Sequence, residues 1–137
     1  MCVSLDQKLH RDLMPTESEA SKSILHICKR EILRPIRDQI LRLSGFTVES
    51  TCDLEEALES FRRNQPDLVL IDVEGEGAIQ DSESLCSEVK TIHPSQLVAF
   101  VCNWRVAVLT DCPDEILRTE FDPAAFVAGV RATFAKH

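Results

Sequence analysis

The sequence predicts an α/β fold, a parallel sheet covered by helices on both faces. Three observations carry this expectation. Short apolar runs of strand length alternate with longer stretches of helical period along most of the chain. Runs such as DLVLID and LVAFVC are apolar nearly throughout, as strands buried on both sides must be. At 137 residues and 44% hydrophobic content, the chain has the size of one domain with one core.

Taken in order, residues 1–22 read as an N-terminal tail or short helix, with Leu5, Leu9 and Leu13 at helical spacing before Pro15 and the loose run TESEASKS. The domain is expected over 23–137. SILHIC is short, apolar and bounded by charge, which suits a first strand. ILRPIRDQILRLSG follows as a helix with Ile32, Ile36, Ile40 and Leu43 on one face and Gly45 as its stop. Pro35 is tolerated there only in the first turn. FTVEST alternates as a strand, Asp53 is placed to cap LEEALESFRRN, and Pro66 precedes the strand DLVLID. A further helix is expected from Asp81 or Ser82, with Leu85, Val89 and Ile92 inward, ending at Pro94. LVAFVC is the fourth strand and Glu115–Arg118 the last, and a closing helix runs from Asp122 and Pro123 through Phe134.

Several function classes are disfavoured by composition. A formal charge of −8 with no tight basic cluster argues against general affinity for nucleic acid or anionic lipid. No apolar run approaches the roughly 20 residues of a membrane span, and Met1–His10 lacks the apolar core of a signal peptide, so a cytoplasmic location is expected. The cysteines Cys2, Cys28, Cys52, Cys86, Cys102 and Cys112 form no CxxC or CxxxC pair, and the histidines are not spaced to complete a zinc site. Buried thiols acting as small hydrophobes are expected, with no metal and no disulfide framework.

The stretch ILHICKREILRPIRDQILRLSGFTVESTCDLEEALESFRRNQPDLVLID resembles, without a gap, the first half of the receiver domains of bacterial response regulators. LVAFVC and EILRTEFDPAAF resemble the second half more weakly. The resemblance implies a flavodoxin-like fold, a doubly wound five-stranded parallel sheet in order 2-1-3-4-5, with the site beyond the carboxyl ends of strands 1 and 3. It implies that Asp72 is the candidate phosphoacceptor.

The resemblance also implies supporting residues that this chain lacks. Where the family carries two acids for magnesium, Cys28 and Lys29 stand here, and neither a thiol nor an ammonium suits that ion. Cys102 replaces the family's hydroxyl, Thr119 its lysine and Glu120 the proline after it, while Ile116 takes its aromatic switch position. The loop after Asp72 is longer than usual, and the segment between Cys102 and Asp114 is shorter, so the helix between strands 4 and 5 is expected to be truncated.

The favoured reading is therefore a degenerate receiver: a standalone signalling domain of a two-component or phosphorelay system, non-enzymatic, binding a protein partner without phosphorylation. A histidine kinase or a downstream signalling protein would be that partner. No output domain is expected after FDPAAF, so the domain is expected to act through another polypeptide. No cofactor is expected. The alternative is a working phosphoreceiver, in which Asp72 accepts a phosphoryl group with magnesium and Glu74 contributes to the site. A second alternative is a redox sensor built on Cys28 and Cys102, which strand spacing places about 9–10 Å apart and so beyond disulfide reach. Lys29 is expected to stand where the metal would be and to neutralise Asp72. His26, inside strand 1, is expected to be packed or hydrogen-bonded rather than a ligand. Trp104 is expected to pack near the shortened helix unless it anchors a partner.

Overall fold

Five parallel strands in the order β2-β1-β3-β4-β5 form the centre of the computed structural model, which describes residues 22–73, 78–102, 111–118 and 122–137. In chain order the elements are β1 (Ser23–Ile27), α1 (Leu33–Leu43), β2 (Thr47–Thr51), α2 (Leu54–Arg63) and β3 (Leu68–Asp72). Then come α3 (Ala78–Ile92), β4 (Val98–Cys102), β5 (Glu115–Arg118) and α4 (Pro123–Lys136). The doubly wound, three-layer architecture expected from the sequence is the one observed. The N-terminal tail, and most of the segment where a truncated helix was expected between β4 and β5, lie outside the described residues.

Side-chain alternation divides the core into two layers, because successive residues of a strand point to opposite faces. Leu25, Ile27, Val69, Ile71, Val98 and Phe100 pack under Ala57 and Phe61 of α2 and Leu85, Cys86 and Val89 of α3. Ile24, Leu68, Leu70, Ala99 and Val101 pack under Leu41 of α1 and Phe126 and Val130 of α4. Every residue of β3 and β4 is buried. The edge strands β2 and β5 contain no fully buried residue.

Local chemistry sets the helix ends. The Asp53 carboxylate accepts from the backbone N–H of Glu55 at the start of α2, and that of Asp122 accepts from Ala124 and Ala125 at the start of α4, where Pro123 follows it. After α1, Gly45 adopts φ of 97°, a left-handed conformation that a side chain would disfavour. The chain then turns directly into β2.

Two helices differ from expectation. On α1 the inward residues are Leu33, Arg37, Asp38 and Leu41; of the expected face Ile40 is partly buried against the core, while Ile32, Ile36 and Leu43 are exposed. This helix carries two stripes, and the one that wins contains two charged side chains, because charged partners await them in the sheet. The α3 helix starts earlier than expected, at Ala78, and leaves Ile92 exposed. Its buried side is completed by Ala78 and Ser82, whose hydroxyl donates to the carbonyl of Ala78 at 2.7 Å.

Candidate functional site

The carboxyl ends of β1 and β3 meet where strand order reverses, the usual place for a site in such sheets. Ile27 lies in register with Ile71, so the residues just beyond converge. By alternation from Leu70, Asp72 belongs to the layer shared with α1 and α4, and by alternation from Ile24 so does His26.

Asp72 is buried, its side chain 1% exposed, and both carboxylate oxygens are engaged. Arg37 of α1 donates from Nη1 to Oδ1. Nε2 of His26 lies 2.9 Å from Oδ2. The other ring nitrogen of His26, Nδ1, is 2.7 Å from Oδ1 of Asp38, whose second oxygen accepts from the Ser50 hydroxyl at 2.5 Å. Two carboxylates, an imidazole and a guanidinium thus form one chain of contacts through β1, α1 and β3. The Arg37 guanidinium also lies 5.4 Å from the ring centroid of Phe126.

The electrostatics follow from that chain. Burial by itself lowers the pKa of His26, but its hydrogen bonds to Asp38 and Asp72, with their charges, outweigh it and the net shift is upward. For Asp38, burial acts upward, and the hydrogen bonds from His26 and Ser50 overcome it to leave the carboxyl below its ordinary value. With His26 protonated, both ring nitrogens donate to carboxylates, and two cations balance two anions.

The remaining expected site residues distribute as follows. Cys28 lies just past β1, buried, its thiol donating to the carbonyl of Arg30 at 3.7 Å. Burial, then the charge of Asp72, pushes that thiol up to about 12. Lys29 does not neutralise Asp72: it pairs with Asp81 of α3 at the exposed rim. The cation on Asp72 comes from Arg37 instead, because that side chain enters from the buried face of α1 whereas Lys29 sits past the end of β1 with water available. Cys102 is buried at the end of β4, in the layer under α2 and α3, so β3 lies between it and Cys28. Glu74, Trp104, Thr119 and Glu120 lie outside the described residues.

Sequence reasoning missed Arg37 and Asp38. The signal was the spacing Leu33, Arg37, Leu41, an i, i+4, i+8 stripe that is legible only if an arginine is counted as an inward residue. It also missed that His26, Cys28 and Asp72 place a ring nitrogen, a sulfur and a carboxylate oxygen within 4.8 Å of one another. Motif spacing could not show this, since the third member comes from another strand.

Magnesium takes oxygen donors in octahedral geometry. Among the described residues the nearest donors are one carboxylate with both oxygens engaged, a thiol and an imidazole, a set that does not fit that ion.

No protein-family model matches the chain. Among curated proteins it is similar to the transcriptional regulatory protein CseB of Streptomyces avermitilis, 30% identical over 117 residues, which cover 82% of this chain and 49% of the relative. CseB of Streptomyces coelicolor gives the same identity and coverage. The chain spans about half the length of these curated relatives. Among solved structures, a putative response regulator from Chloroflexus aurantiacus is similar with a TM-score of 0.72 at 20% identity, covering 84% of this chain and 98% of the other. Response regulator TrrA of Thermotoga maritima, crystallised with Mg2+–BeF, gives 0.69 at 20% identity over 82% and 98%. TrrA has also been solved in complex with the histidine kinase ThkA, with a TM-score of 0.68 at 20% identity over 82% of this chain and 97% of that one. The fold of this chain is that of response-regulator receiver domains. Among the described residues, no helix is long and apolar enough to cross a membrane.

Proposed function

We propose that this is a receiver-like signalling domain of a two-component or phosphorelay system that works by protein–protein interaction, without phosphorylation and without magnesium. One observation carries the reading: both oxygens of the candidate acceptor Asp72 are bound, one by Arg37 and one by His26, in a site closed to water. An attacking carboxylate needs a bare oxygen and a cation to gather the phosphoryl charge. Freeing an oxygen here would break a buried charged contact on its way to the reaction. Such contacts are costly to separate, because either partner is left desolvated.

The partner is a protein, a histidine kinase or a downstream signalling protein, in keeping with the TrrA–ThkA complex seen for a structural neighbour. The chain's charge of −8 disfavours nucleic acid. The alternative of a working phosphoreceiver draws on one fact, the position of Asp72 at the carboxyl end of β3. The redox alternative on Cys28 and Cys102 is opposed by the strand between them and by the different layers in which they lie.

Intact-mass measurement after incubation with acetyl phosphate and magnesium tests the reading. The expected result is no mass gain. A gain of one phosphoryl group that Asp72→Asn abolishes would establish the phosphoreceiver instead.

A further inference from the structure

We propose that His26, Cys28 and Asp72 form a binding site for one thiophilic divalent cation of the zinc and cobalt(II) class, with Asp38 orienting the histidine. The inference goes beyond the proposed function, and cation binding is read without any partner or phosphodonor, so either idea can fail alone.

The geometry supplies a built site. One ligand atom from each residue lies within 4.8 Å of the others, and His26, Cys28 and Asp72 are all buried. His26 Nε2 and Asp72 Oδ2 are 2.9 Å apart, a few tenths of an ångström short of the ~3.3 Å that two donors with bonds of 2.0–2.1 Å require in a tetrahedron. A metal-binding histidine characteristically gives its second nitrogen to a carboxylate, which fixes the ring and its tautomer. Nδ1 of His26 is held 2.7 Å from Asp38 in that way, and Asp38 is itself anchored by Ser50.

The donor types choose the cation. One nitrogen, one sulfur and one oxygen suit zinc or cobalt(II) and not magnesium or calcium. Three protein donors leave the fourth tetrahedral position to one water carried in with the ion. Arg37 keeps its bond to Oδ1 of Asp72 while Oδ2 turns to the ion. Charge balances on exchange: the ion brings two positive charges, and the protons of Nε2 and of the Cys28 thiol leave to solvent. A coordinating thiol is deprotonated outright, so a thiol otherwise held protonated by burial still serves as a ligand. Asp38, Asp72 and the Cys28 thiolate then face Arg37 and the ion with no net charge.

The test is titration of the chelator-stripped, reduced full chain with cobalt(II). One equivalent should bind and produce thiolate-to-cobalt charge-transfer absorption with the visible bands of four-coordinate cobalt. Zinc should displace it, and millimolar magnesium should not. Cys28→Ser should abolish the charge-transfer band, while Asp38→Asn should keep it and weaken binding about 10–100-fold. Charge transfer that survives in folded Cys28→Ser, or no saturable binding by the parent chain, would overturn the proposal. A second measurement needs no variant. X-ray absorption of the zinc-loaded parent should show one sulfur at about 2.3 Å with nitrogen and oxygen at about 2.0–2.1 Å. No sulfur, or more than one, would place the ion elsewhere and refute the site.

Discussion

Arg37 and Asp72, 35 residues apart in sequence, are joined in the interior by a charged hydrogen bond from α1 to the end of β3. The guanidinium side chain is 6% exposed and the carboxylate side chain 1%. Truncating one partner of such a pair leaves an uncompensated charge away from water. Arg37→Ala should cost about 3–5 kcal/mol in urea denaturation. A loss below about 1 kcal/mol would mean that Asp72 is solvated or otherwise paired in solution.

The His26 network predicts a pH dependence whose sign is fixed. The folded-state pKa of His26 is raised above its ordinary 6.5. Its contribution to stability is therefore complete below that value and is lost as pH rises through the folded pKa. Asp38 acts oppositely: its pKa is lowered from the ordinary 3.8, so its contribution is present above that value and lost as pH falls through the folded pKa. Stability attributable to the pair should be greatest between the two ordinary values. Denaturation midpoints of the parent protein should stay level from pH 5 to about 6.5 and decline above it, and the decline should flatten in His26→Gln. An equal slope in both proteins would contradict the assignment.

Leu70 lies in the middle of β3, fully buried in the layer under α1 and α4. Leu70→Ala should destabilise by about 2–5 kcal/mol through lost transfer energy and the cavity it leaves. Chemical denaturation checks this, and a near-neutral result would be incompatible with a central strand.

The orientation of α1 can be tested by contrast. Leu41 is fully buried and Ile36 is half exposed. Leu41→Ala should cost about 2–5 kcal/mol, whereas Ile36→Gln should stay within about 0.5 kcal/mol. The reverse ranking would restore the face suggested by the isoleucine spacing.

The architecture was legible because each strand and helix is marked by its own period and punctuation. The run LVLID states a buried strand, Asp53 and Asp122 state helix starts, and Gly45 states a helix end. Strand order came from resemblance to a known family. The site was legible only in part. Asp72 was located, but its partners were not, because hydrophobic spacing counts charged residues as outward. On α1 that rule chose Ile32, Ile36, Ile40 and Leu43; Ile40 does pack against the core, but the buried stripe is Leu33, Arg37 and Leu41, and the face is rotated toward them. Lys29 was assigned to Asp72 because it falls where the resembling family places a magnesium-binding acid, and Arg37 was not considered. Nearness along the chain says nothing about which cation a buried carboxylate meets across a helix packed on the sheet.

The place of β1 between β2 and β3 has a consequence for how the chain comes to exist at all. Ser23 and Asp67, which clasp the start of both strands through backbone and side-chain hydrogen bonds, are 44 residues apart. At about 5–20 residues per second, a ribosome needs about 2–9 s to make that interval. Throughout it, one margin of β1 has no native neighbour, and His26 can meet Asp38 but not Asp72. The nascent parallel β1–α1–β2 unit must wait, half-covered, for the strand that completes it. Chaperones and unwanted strand partners compete for that margin during those seconds.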